Sequence, residues 1–208
     1  MNRSAVLMTL NNSSHTPLLL QYRSWHRISL LLIVAVVFSG LAQPQVAAAQ
    51  SCSSLLTDGG FEDGAAWESK NNDGFPLLSS QLAHSGLRGA YLGGRNNITD
   101  RLATQLTLPI TAQRITLNLW WQLQSQENVT KHGDRLTIIV ADKQGIPLQS
   151  LMELSGRNVT QDWRSAEFDL TRFAGQAIQL QFLASTDTEQ ITDFFLDDVE
   201  IIACDSAN

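Results

Sequence analysis

Between residues 114 and 124 the chain alternates apolar and polar positions without a break. Ile115, Leu117, Leu119, Trp121 and Leu123 fall on one side, and Thr116, Asn118, Trp120, Gln122 and Gln124 on the other. Successive side chains of a strand point to opposite faces, so this pattern predicts a strand with one buried face. Residues 176–185 repeat it, with Ile178, Leu180, Phe182 and Ala184 inward and Gln179 and Gln181 outward. Residues 101–109 alternate similarly, with Leu102, Thr104, Leu106 and Leu108 on one side. Further strands are predicted at 67–69, 77–81, 90–93, 134–142, 148–154, 163–169 and 193–203, separated by turn signals such as Asn71-Asn72-Asp73-Gly74, His132-Gly133-Asp134 and Ser155-Gly156. A single helical turn is expected at 170–175, capped by Asp169 or Thr171 and stopped by Gly175. Short strands with frequent turns and no long helical period make an all-β sandwich or barrel. No repeat, linker or second domain is apparent.

The beginning of the chain follows a different pattern. Arg23, His26 and Arg27 precede an apolar run from Ile28 to Ala42, which is followed by Pro44 and the small residues Val46-Ala47-Ala48-Ala49. Ala47 and Ala49 satisfy the A-x-A rule, so residues 1–49 read as a signal peptide cleaved after Ala49. The run is shorter than the roughly 20 apolar residues of a spanning helix, and an uncleaved leader is the only route to a membrane that the sequence offers. The expected domain is residues 50–208, in a secreted or otherwise extracytoplasmic protein.

Export makes the two cysteines informative. Cys52 lies just after the expected cleavage site and Cys204 near the end of the chain. An even pair in an oxidising compartment forms a disulfide, and here the bridge would tie the first strand to the last. Free thiols are the alternative. Charge narrows the partners. The formal net charge is −6, and residues 1–49 hold three arginines and no acid, so the expected domain is more acidic than the whole chain. That balance argues against nucleic acid, which calls for a basic stripe.

The order of the punctuation adds a resemblance. Asp58-Gly59-Gly60-Phe61-Glu62 precedes Trp67; His84-Ser85-Gly86 precedes Ala90-Tyr91-Leu92-Gly93; Trp163 precedes Phe168-Asp169-Leu170; and the chain closes on Phe194-Phe195-Leu196-Asp197-Asp198-Val199. This resembles the galactose-binding-like jelly-roll superfamily, which includes carbohydrate-binding modules and MAM-type adhesion domains. The resemblance implies a jelly-roll β-sandwich of two antiparallel sheets. It also implies a structural calcium, carried over onto Glu62, Asp197 and a carbonyl near Gly60, with Asp198 as the substitute if the register slips by one and further carbonyls from the turn at 85–88. Carboxylate and carbonyl oxygens are what this hard cation takes. Trp67 and Trp163 match positions that pack inside such sandwiches.

Trp121 sits on the apolar face of its predicted strand and is expected in the core. Trp120 sits on the polar face with Asn118 and Gln122, and Gln179 and Gln181 are expected to share that face from another strand. A ring among amides is a sugar platform: the ring stacks on C–H faces and the amides bond hydroxyls. A covering loop would instead make Trp120 structural. No H-E-x-x-H, G-x-S-x-G or phosphate-binding glycine motif is present. The sequons at Asn97, Asn128 and Asn158 read as chance matches in a Thr- and Asn-rich β protein. The expectation is a non-catalytic binding module whose partner is a polysaccharide or glycan, with a cell-surface protein as the alternative partner and a hydrolase as the least favoured reading.

Overall fold

The computed structural model describes residues 50–127 and 133–206; the leader, His132 and the sequon at Asn128 lie outside them. The described chain forms β1 (Cys52–Ser54), β2 (Glu68–Asn71), β3 (Leu78–Ser79), β4 (Gly89–Gly93), β5 (Thr99–Thr107), β6 (Arg114–Ser125), β7 (Arg135–Asp142), β8 (Pro147–Ser155), β9 (Arg164–Asp169), β10 (Ala177–Ser185) and β11 (Thr192–Cys204). Every predicted strand is present, with ends shifted by at most two residues. The helical turn is a short 3-10 turn, Thr171–Phe173, in which Asp169 Oδ1 accepts the Thr171 amide at 2.8 Å.

The strands form two antiparallel sheets. The first runs β3-β4-β11-β6-β9, with β1 also on β11; the second runs β2-β5-β10-β7-β8. Together they make the jelly-roll sandwich. The alternating residues close its core. Ile115, Leu117, Leu119 and Leu123 of β6 face Ile178, Leu180 and Phe182 of β10, all fully buried. Trp121 is half-buried and packs against this core. Trp67 joins it, with its ring 4.8 Å from that of Phe61 and 5.6 Å from that of Phe182. Trp163 does not: it is half-buried outside the core. It stands just before β9, on the outward parity of its strand.

Cys52 and Cys204 are opposite each other in the β1–β11 register and form a disulfide. In the chain-entropy picture, closing a loop of this length stabilises the fold by about 5 kcal/mol. No helix among the described residues is long and apolar enough to cross a membrane.

Candidate functional site

Three buried or half-buried acids organise the irregular segments at one edge of the first sheet. Asp58 accepts the amides of Glu62 at 2.8 Å and Gly64 at 2.7 Å, folding 58–64 into a tight turn. Trp67 Nε1 donates to the Asp58 carbonyl at 2.7 Å, and Phe61 is held at φ 58°, fully buried. Gly59 is required here: a Cβ on it would stand 1.7 Å from the Val199 carbonyl oxygen. Opposite this turn, β11 bulges between Asp197 and Glu200, and Asp198 takes φ 45°.

The bulge sends the two adjacent acids different ways. Asp197 is fully buried and accepts amides from His84 at 2.7 Å, Ser85 at 3.1 Å and Asp198 at 2.7 Å. Burial pushes its carboxyl above the ordinary aspartate value, against the lowering effect of those amides. Asp198 points outward, meeting His84 Nδ1 at 2.6 Å and accepting from Ser85 Oγ at 2.6 Å. Glu62 Oε1 accepts the amides of Leu87 at 2.8 Å and Arg88 at 3.2 Å. Gly60, Glu62, Asp197 and Asp198 therefore do gather at the turn 84–88. Their function there is to hold that turn: both oxygens of Asp197, both of Asp198 and Oε1 of Glu62 already have donors.

The turn 84–88 is part of a cover over the outer face of the first sheet. The His84 ring stacks on Trp120, with centroids 4.0 Å apart and planes at 14°, and meets Trp163 edge-on at 5.5 Å. Further along, Phe75 packs edge-on against Tyr91, and Tyr91 stacks on Phe195 at 5.1 Å. Tyr91 and Phe195 are only 7% and 3% exposed, although both point away from the core. The Tyr91 hydroxyl donates to Asp193 at 2.7 Å, and burial with this neighbouring carboxylate pushes its pKa up. Gln122 is buried, and its Nε2 donates to the Gln161 carbonyl at 3.1 Å. Asn118 is half-buried beside exposed Glu200. The platform expected around Trp120 is thus a second aromatic layer with its own lid.

The glutamines of β10 are elsewhere. β6 belongs to the first sheet and β10 to the second, so the outer faces bearing Trp120 and Gln179 lie on opposite sides of the sandwich. The expected shared face does not form. Periodicity says which side of a strand a residue takes, but not which sheet the strand joins. On the second sheet, Gln179 Oε1 accepts from Arg101 Nη2 at 2.7 Å and from Gln181 Nε2 at 2.8 Å. Arg101 Nη1 also donates to Glu68 at 3.1 Å. Gln181 is 3% exposed, and Gln179 Nε2 donates to the Lys143 carbonyl of the β7–β8 turn at 3.3 Å. Beside Gln179 is an open groove of about 320 Å³, lined by Glu68, Gln105, Ala66, Ala103, Thr104 and Trp67. Gln105 was not among the expected residues. Its signal was present: it is outward on the 101–109 pattern and pairs directly with Gln179 in register.

Ser85, His84 and Asp198 do not form a nucleophile relay. Serine and histidine both bond the aspartate, whereas a relay needs the serine on the far nitrogen of the histidine.

The model of the MAM domain, meprin/A5/mu, matches residues 52–205. The chain belongs to the MAM domain family. No curated protein matches this MAM domain significantly in sequence. Among solved structures, TmCBM61 in complex with β-1,4-galactotriose is 17% identical, with a TM-score of 0.53, over 72% of this chain and 97% of that one. The K3 adhesin domain of Lys-gingipain from Porphyromonas gingivalis is 18% identical, with a TM-score of 0.49, over 74% and 98%. The CBM22-1 xylan-binding domain of Paenibacillus barcinonensis Xyn10C is 16% identical, with a TM-score of 0.48, over 77% and 100%. At these identities the TmCBM61 likeness establishes the fold. The disulfide suits an extracytoplasmic MAM domain.

Proposed function

We propose that this MAM domain is a secreted, non-catalytic glycan-binding module whose ligand lies along the outer face of the second sheet, in the groove beside Gln179. The observation that supports it is the composition of that groove: Glu68, Gln105 and Gln179 line it beside Ala66, Ala103 and Trp67, with Gln179 held in place by Arg101, Gln181 and the Lys143 carbonyl. A carboxylate or amide bonds neighbouring hydroxyls, and apolar side chains beside them give the C–H face of a sugar a contact. The companion structure with β-1,4-galactotriose makes galacto-oligosaccharide the first probe. Calorimetric titration with galactan, xylan and mixed-linkage glucan oligosaccharides tests the proposal. Gln179→Ala and Gln105→Ala should each weaken binding by roughly tenfold, the loss of about one hydrogen bond, while Trp120→Ala leaves it unchanged. The reverse pattern would move the ligand to the first sheet; silence across the panel removes the function.

Family membership supports a second reading, a protein-interaction module. A concentration-dependent oligomer in sedimentation, or stable capture of one cell-surface protein, with no response to any glycan would favour it.

A further inference from the structure

Away from the disulfide, at the opposite end of β11, Glu127, Asp134 and Asp187 each place one carboxylate oxygen within 4.8 Å of the others. Their positions come from three segments: the chain leaving β6, the residue before β7, and the loop between β10 and β11. Backbone contacts fix all three. Glu127 Oε1 accepts the amides of Gly133 at 2.9 Å and Asp134 at 3.3 Å. Asp134 Oδ1 accepts the Asp187 amide at 2.8 Å, and Asp187 Oδ1 accepts the Glu189 amide at 2.8 Å. Gly133 is required by this approach, since a Cβ on it would stand 1.8 Å from Asp187 Oδ2.

An acidic cluster alone is not a site. Here a second observation points to a ligand. Asp134 is fully buried, and its Oδ2 has no hydrogen-bond partner. A buried carboxylate oxygen without a donor is costly. Asp134 and Asp187 also have no ion-pair partner among the described residues. Asp187 Oδ2 likewise accepts no hydrogen bond from the described residues.

We propose that Glu127, Asp134 and Asp187 bind a calcium ion. Three carboxylates on irregular loops suit a cation that accepts six to eight oxygens in flexible geometry, with water completing the shell; magnesium demands near-ideal octahedral placement. The ion neutralises the buried charge and gives Asp134 Oδ2 its partner. It also clips the two sheets together, since β6 and β11 belong to the first and β7 and β10 to the second.

Thermal melts of the full domain test this, run after chelation and again with millimolar CaCl₂ or MgCl₂. The melting temperature should rise by several degrees with calcium and much less with magnesium. Asp134→Asn, which keeps the shape and removes the charge, should abolish the rise, and Asp187→Asn should weaken it; if Asp134→Asn fails to fold, Asp187→Asn carries the test. Glu62→Gln, at the turn 84–88, should retain the full response. A wild-type protein indifferent to calcium overturns the proposal. So does an equal response to magnesium, or a calcium response that survives Asp134→Asn and Asp187→Asn but is lost in Glu62→Gln.

Discussion

The two outer faces of the sandwich began alike and ended differently. Each carries outward glutamines on an interior strand, Gln122 on β6 and Gln179 with Gln181 on β10. On the first sheet, Phe75 and His84, from the connections on either side of the edge strand β3, set their rings against Tyr91 and Trp120, and Tyr91 stacks on Phe195. On the second, short side chains and one turn leave a groove open beside Gln179. Outward polarity is therefore not the same as access: an outward aromatic with a partner from a neighbouring connection builds a second small layer outside the core.

If the proposed site is right, this contrast makes substitutions on the first face matter for stability and those on the second for glycan binding. Phe195→Ala should have the largest effect, destabilising by about 3–4 kcal/mol as a buried aromatic is lost from a packed layer; denaturant midpoints measure it, and a loss near zero would mean the layer is not packed. Trp120→Ala should cost less, about 2 kcal/mol, because the ring is half-buried and its main partner is His84. Gln179→Ala should cost less still, about 1 kcal/mol, for the hydrogen bonds to Arg101, Gln181 and the Lys143 carbonyl, with its further consequence read in glycan titration; a loss like that of Phe195→Ala would make the groove structural, like the opposite face.

The smallest effect concerns a residue between the two faces. Asp100 of β5 is fully buried and accepts the Gly93 amide of β4 at 2.9 Å, joining the sheets. Burial pushes its carboxyl above the ordinary value, although Gly93 and Arg95 oppose the shift. A carboxyl raised on folding favours the native state only while both states are protonated, so its contribution is lost as pH rises from the unfolded aspartate value through the raised one. Asp100→Asn stands in for the protonated acid. Its stability should match the wild type near pH 3 and exceed it increasingly toward neutrality; a pH-independent gap in denaturation curves would contradict this.

Much of the fold was legible because one physical cause dominates it. Ile115 to Leu123 and Ile178 to Ala184 alternate strictly since each strand has a single buried face, and the period survives any tertiary arrangement. What Trp120 and Trp163 meet was not legible. Trp163 was expected inside and stands outside, since its partner His84 comes from a connection rather than a strand. Asp197 and Asp198 look equivalent in sequence; only the bulge, with Asp198 at positive φ, sends one inward and one outward. The acids Glu127, Asp134 and Asp187 carry no spacing signature. Loop closure alone assembles them, and the turn signal at Gly133 was the single hint of it.

The Cys52–Cys204 bridge has a mechanical consequence. It joins the first and last strands directly opposite each other, so the chain enters and leaves the sandwich at one point. Tension applied between residues 51 and 205 passes through a covalent link and leaves the hydrogen-bonded sheets unloaded. Under such a load the folded domain hangs as a pendant whose sheets stay intact until the sulfur–sulfur bond is reduced.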